Sequence, residues 1–269
     1  MNFYLGRAMY GVLLVLSVPF LNTLQAASGP ATIIDLSGGC AGTAERTNLA
    51  AALTSAGYTV TTITTGVVPS DLTGQQQVWD IRCQNVLTAP EITTFNAYLA
   101  SGGSLFLLGE NLGYAAARDA SLISYIAGVG GGSLTLTATA NAQTAQPPFT
   151  GPTTLSTVNY RAVGGTQTAG TGAFVTTDTS GYGGAIVLGP GSLSSARSGT
   201  LIIVWDVNFM DSSRTAGETA LLNNLIAYLA APVPVGTPPA VPALSPSAML
   251  VLSLLLGCAG FLLLRRRFA

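Results

Sequence analysis

Short apolar runs and amphipathic stretches alternate along the middle of this chain. Residues 31–36 (ATIIDL), 58–64, 78–83 (VWDIRC), Ser104–Leu108 and 201–206 (LIIVWD) are brief, rich in β-branched and aromatic residues, and bounded by turn formers. Such runs predict strands, and the continuous ones suit strands covered on both faces. Between them lie helical patterns. Residues 43–56 carry Leu49, Ala52 and Leu53 on one face and stop at Gly57. Thr88-Ala89-Pro90-Glu91 has capping-box spacing and opens a helix through Ala100, with Ile92, Phe95 and Leu99 as its apolar stripe. Residues 120–127 predict another helix. Thr215-Ala216-Gly217-Glu218 starts a last one, with Leu221, Leu222, Leu225, Ile226 and Leu229 facing inward. Strands alternating with helices predict right-handed crossovers and a mostly parallel sheet with helices on both faces, an α/β fold.

The pattern breaks at Gly128 and resumes near Thr200. Gly130-Gly131-Gly132, a Thr-rich run and scattered Pro and Gly interrupt it. Residues 134–138, Ala173–Thr177 and Ala185–Leu188 are candidate strands. A β-rich insertion over about 131–199 is the expectation.

Both ends read as export or membrane segments, which leaves residues 28–230 as one globular unit. Arg7, the apolar run 8–21 and the small residues Ala26 and Ala27 predict a signal peptide over 1–27, cut by signal peptidase. An uncleaved anchor is the alternative. Residues 231–246 hold Pro232, Pro234, Pro238, Pro239, Pro242 and Pro246, and predict an extended spacer. The last segment, 247–269, contains an apolar run of seventeen residues (248–264) followed by Arg265, Arg266 and Arg267. As a helix that run spans about 25 Å, enough for a thin bilayer. The arginines predict a cytoplasmic tail, with the body on the far side of the membrane.

Composition narrows the functions. Charged residues are 8% of the chain, the net charge is -1, and the chain contains no Lys and no His. No basic patch remains on the body, so nucleic acid is not an expected partner. Without His, the usual general base of Ser and Cys hydrolases and the commonest zinc ligand are missing. The glycine-rich turns match neither a Walker nor a Rossmann phosphate loop, so no cofactor is expected.

Ligands of open parallel sheets bind beyond the carboxyl ends of the strands. Glu110, Asn111, Asp206, Asn208 and Asp211 fall at or past such ends, with Asp35 and Asp80 slightly earlier; together they form the candidate ligand site. Paired carboxylates among them would suit glycoside cleavage. The favoured reading is structural, with Arg46, Arg82 and Arg118 neutralising them. The 206–211 loop offers oxygen ligands for calcium but lacks the EF-hand glycine and terminal Glu; Asp206 or Asn208 capping a turn is the favoured reading, with no metal. Cys40 and Cys83 fall past the first predicted strand and at the end of the third, and an oxidising compartment favours a disulfide between them over a free pair or a reactive thiol. Cys258 falls in the apolar tail.

Three groups of residues carry resemblances. Gly109-Glu110-Asn111-Leu112-Gly113 after a buried strand has the spacing of a nucleophile elbow, but Asn111 takes the place of Ser or Cys and cannot attack a carbonyl. With the order of elements, this resembles the flavodoxin-like class I glutamine amidotransferase-like domain, and implies that scaffold without its catalysis. The segments WDIR (79–82), GGSLFLLGEN (102–111) and DVNF (206–209) resemble those of exported proteins with this organisation. Val241-Pro242-Ala243-Leu244-Ser245, the apolar run and the arginines resemble the IPTL-CTERM sorting signal, a relative of PEP-CTERM, with Val241 and Ala243 where that motif has Ile and Thr. That resemblance implies recognition by an exosortase-type membrane protease; a plain anchor is the alternative. The expectation is an exported, membrane-anchored or sorted surface protein. Its body would bind a surface glycan or other envelope component, or serve envelope structure. A carboxylate-dependent carbohydrate hydrolase and an adhesin or matrix component are the alternatives.

Overall fold

The structure is a computed structural model, and it describes residues 29–36, 42–82 and 84–230. Its first half alternates strand and helix: β1 (Gly29–Ile34), α1 (Thr43–Ser55), β2 (Tyr58–Ile63), α2 (Pro69–Leu72), β3 (Gln77–Asp80), α3 (Ala89–Ala100), β4 (Ser104–Leu108) and α4 (Ala116–Gly128). Six short strands come next: β5 (Leu136–Ala138), β6 (Ala142–Ala145), β7 (Thr157–Asn159), β8 (Gly164–Thr166), β9 (Ala173–Thr177) and β10 (Ala185–Leu188). The chain then returns to the centre with β11 (Thr200–Val204), a 3-10 turn (Val207–Met210) and α5 (Ala216–Ala230).

The large sheet has the order β2-β1-β3-β4-β11-β10-β9-β6-β7. Every pair from β2 through β11 is parallel. Every pair from β11 outward is antiparallel. The middle of the chain therefore extends the main sheet rather than forming a separate unit, apart from the small β5-β8 ribbon. The fold is α/β, with a parallel half and an antiparallel wing.

Two apolar layers explain why the central strands read as unbroken runs. On one face, Ile33, Trp79, Phe106 and Ile202 meet Leu49 and Leu53 of α1 and Leu221 and Leu225 of α5. On the other, Val78, Leu105, Leu107 and Ile203 meet Phe95 and Leu99 of α3 and Leu122 and Ile126 of α4. Trp79 and Phe106 stack with ring centroids 4.5 Å apart. A strand buried on both sides cannot alternate with polar residues, because either face would then carry unpaired polar groups.

Both capping signals operate. Glu91 Oε2 accepts from the Thr88 N–H at 2.9 Å, and Glu218 Oε2 accepts from the Thr215 N–H at 2.6 Å while the Glu218 N–H donates back to Thr215 Oγ1. Elsewhere the boundaries move. The third strand ends at Asp80 rather than 83, because Arg82 is drawn into ion pairs beyond the sheet. Helix α4 begins at Ala116 rather than 120, because its first turn buries Arg118 and Asp119, charged residues that an apolar pattern passes over. The short helix α2 and strands β6, β7 and β8 carry little apolar signal and were not anticipated.

Among the described residues no helix is long and apolar enough to cross a membrane. The expected signal peptide, the spacer, the sorting motif Val241–Ser245 with the apolar run behind it, and the Arg265–Arg267 tail lie outside the described residues.

Candidate functional site

The carboxyl ends of β1, β3, β4 and β11 bring most of the expected residues to one end of the sheet, and there two buried networks absorb their charges. The first centres on Asp80, which is fully buried. Its Oδ1 accepts from Arg82 Nε at 2.8 Å and its Oδ2 from Arg82 Nη2 at 2.7 Å, a two-pronged pair. Arg118 Nη2 lies 3.0 Å from the same Oδ2 at ion-pair distance, without hydrogen-bond geometry. Arg82 Nη1 reaches on to Glu91, and Arg118 donates to the carbonyls of Leu108 and Asn85. Two cations and two anions thus cancel. Burial works against the Asp80 charge, but Arg118 and Arg82 outweigh it and hold the carboxyl below its ordinary range. Asp35 is paired in the same way, accepting from Arg46 Nη1 at 2.7 Å, although burial leaves its pKa raised.

The second network has no ion pair on its carboxyls among the described residues, although Arg118 attracts Asp119 from a distance. Glu110, 2% exposed, accepts the Val207 N–H on Oε1 at 2.9 Å. Its Oε2 accepts the backbone N–H and the side-chain Nδ2 of Asn111 at 3.2 and 3.0 Å. Asp119 Oδ1 accepts the Glu110 N–H at 3.0 Å, and Asp119 Oδ2 is buried with no partner among the described residues. Asp206 Oδ2 accepts the N–H groups of Arg161 and Ala162, and its Oδ1 accepts that of Asn208 at 2.8 Å. Burial pushes Glu110 up to about 7; repulsion from Asp206 and Asp119 adds to it, and the amide bonds oppose it. Burial likewise pushes Asp119 up to about 6 and raises Asp206. Glu110 ties the end of β4 to the end of β11, and Asp206 ties the antiparallel wing to the same place.

Asn111 is not at the tip of a strained elbow. Among the described residues every residue with positive φ is a glycine, whereas an elbow holds its central residue in a strained turn. Asn111 Oδ1 instead accepts the Gly113 N–H at 3.2 Å, and the Tyr114 N–H donates to the Asn111 carbonyl, an Asx-type turn. The spacing Gly109…Gly113 has another cause. A Cβ at Gly109 would enter the Trp205 ring, so close helix-and-strand packing needs glycine there. A Cβ at Gly164 would lie 2.7 Å from the Glu110 carbonyl and 3.0 Å from Asn111 Cα. Strand β8 therefore lies directly over the turn, where an elbow enzyme leaves room for substrate.

Asn208 and Asp211 form a turn that satisfies itself. The Asp211 N–H donates to the Asn208 carbonyl, Asp211 Oδ1 accepts the Ser213 N–H at 2.6 Å, and Oδ2 meets Arg161 at 3.0 Å. Among the described residues no group of three or more His, Cys, Asp or Glu could hold a metal ion. Strands β1 and β3 are neighbours, as a Cys40–Cys83 bond requires, but both cysteines lie outside the described residues. Sequence reasoning missed Asp119, the third carboxyl around Glu110. The signal was its place on the inward stripe of α4, in helical register with Leu122 and Ile126.

Concavities open elsewhere among the described residues. A crevice of about 370 Å³ opens past β1 and β3, lined by Leu36, Val67, Val68, Arg82, Val86 and Glu91. Among its described lining residues the guanidinium of Arg82 is already neutralised by Asp80 and Glu91, so they offer no free cation to a phosphate. A wider groove of about 750 Å³ lies at the opposite end of the sheet, beside the first residues of β4.

No family model matches this chain, and no curated protein matches it. Solved structures do. The mmIFT52 N-terminal domain superposes with a TM-score of 0.60 at 11% identity, over 75% of this chain and 97% of that one. A putative ThuA-like protein from Parabacteroides merdae gives a TM-score of 0.50 at 10% identity, over 76% and 90%. At such identities the likeness concerns the fold alone.

Proposed function

We propose that this chain is an exported surface protein, anchored in the membrane or sorted there through its C-terminal segment. Its flavodoxin-like body would bind or brace an envelope component, such as a surface glycan, without catalysis. The parallel half has the strand order 2-1-3-4-5 of that fold when β11 is counted fifth. One observation carries the reading: the carboxylates at the strand ends are closed in. Asp35 and Asp80 are neutralised by arginines, and Glu110 and Asp206 are used up holding loop amides beneath β8.

The export half rests on Arg7 with the apolar run 8–21, and on residues 241–267. Signal peptidase and an exosortase-type protease are the processing partners it implies. The alternative, a carboxylate-dependent hydrolase, draws on Glu110 alone, whose raised pKa suits a general acid. Its covered surroundings favour the non-catalytic reading.

Fractionation and a substrate screen test the two halves separately. The full chain should appear in the envelope fraction, and purified protein should leave amide, ester and glycoside substrates unchanged. Recovery of the unprocessed chain in the cytosol would remove the first half. Turnover abolished by Glu110→Gln would remove the second.

A further inference from the structure

The 750 Å³ groove at the amino ends of β3 and β4 lies opposite the end where open sheets take ligands, so it is separate from the site above. Its walls come from the turn after α2, the outer face of α3 and the start of β4. Leu229 and Ala230, the last residues of α5 and the last described, complete it. The described chain therefore ends at the rim of this groove. The sequence continues as Ala231-Pro232-Val233-Pro234-Val235-Gly236-Thr237-Pro238-Pro239.

The groove and that segment fit chemically. None of the groove's lining residues is charged, and neither is any residue from 231 to 247. The lining mixes apolar surface from Ala97 and the edges of Leu72 and the Tyr98 ring with hydroxyls of Thr73, Thr94 and Ser101, which donate to helix carbonyls and remain open as acceptors. A polyproline helix makes no internal hydrogen bonds, so it presents apolar rings together with carbonyl oxygens and valine N–H groups in need of partners. Such a helix docks at low entropic cost, because its geometry is preformed. In the groove wall, Gln75 Oε1 is buried and accepts no hydrogen bond among the described residues. Attachment at the rim adds a high effective concentration that a separate ligand would lack.

We infer that this groove is the docking site of the chain's own residues 232–239, held in polyproline geometry. Those eight residues extend about 25 Å, so the first part of the spacer would lie along the body instead of hanging free. The body would then be held at a fixed angle, with its strand carboxyl ends facing away from the C-terminal segment.

Photo-crosslinking of the full chain in detergent tests this. A benzophenone amino acid is placed at Ala97, an exposed groove position, and in a second protein at Thr73 across the groove, in case one probe blocks entry. Peptide mapping should find intrachain crosslinks to residues 232–239 from at least one position. Changing Pro232, Pro234, Pro238 and Pro239 to Ser should cut the yield about tenfold. Crosslinks to other segments or between chains would overturn the inference. So would a yield no higher than from Ala51 on α1, or one indifferent to the prolines. The readout does not depend on residues 247–269 spanning a membrane, so a failed anchoring assay leaves it intact.

Discussion

Replacing Asp80 by Ala attacks the charge network on which the β3–β4 end of the sheet rests. Asp80 is fully buried and holds Arg82 by two guanidinium hydrogen bonds and one from its backbone N–H, and Arg118 at 3.0 Å. Without it, Arg82 keeps Glu91, but Arg118 is left fully buried with hydrogen bonds to neutral carbonyls and only weaker attraction from Glu91 and Asp119. Removing one partner of such a buried pair costs about 3–5 kcal/mol, most of it the penalty of the stranded charge. For a body of this size that lowers the melting temperature by roughly 6–20 °C. Thermal and urea unfolding followed by circular dichroism would measure it. Replacing Asp80 with Leu and Arg118 with Met together should restore part of the loss, because no guanidinium then lacks a counter-ion. A loss below about 1 kcal/mol for Asp80→Ala would refute the structural assignment and return Asp80 to the catalytic candidates.

Glu110 should give the body an unusual pH profile. Its folded pKa is raised from 4.5 to about 7, so its contribution is fully present below 4.5 and is lost as pH rises through about 7. Unfolding free energy should therefore fall across that window, and Glu110→Gln should flatten the upper part, leaving the fall due to Asp119 between 3.8 and about 6 and that due to Asp206 and Glu218, whose pKa values are also raised. An unchanged slope in the variant would sink this assignment. Asp80 acts with the opposite sign: its pKa is lowered, so its contribution holds above 3.8 and disappears as pH falls through the folded value. Gly109→Ala should destabilise by about 1–3 kcal/mol through overpacking against Trp205. Pairing it with a smaller residue at 205 should rescue it, and a stable Gly109→Ala protein with Trp205 intact would contradict the packing.

How legible each element was in the sequence depends on what it is built on. Strand β4 was legible to the residue, because five consecutive buried positions leave no ambiguity between two glycines and a turn. The caps at Thr88 and Thr215 were legible because their partner lies three residues away. Strands β7 and β8 were not, since three-residue strands of Thr, Asn and Gly are held by their neighbours rather than by propensity. The arginine partners of Asp35 and Asp80 were anticipated, because so few cations are available in this chain. The turn at Asn111 misled, because spacing alone cannot tell a glycine that permits backbone strain from one that admits a tryptophan ring. Asp119 was invisible as a neighbour of Glu110 until the turn after β4 set the start of α4 against the strand end.

Carbodiimide footprinting of the native chain with a small amine, mapped by mass spectrometry, tests most directly whether the strand-end carboxyls are committed to structure. Asp71 and Asp178 are half-exposed and should be modified. Asp80, Glu110, Asp119 and Asp206 are buried and should stay unmodified until the protein is unfolded. Labelling of Glu110 and Asp206 in the native chain at the rate of Asp71 would mean an open carboxylate cleft, and would contradict the account.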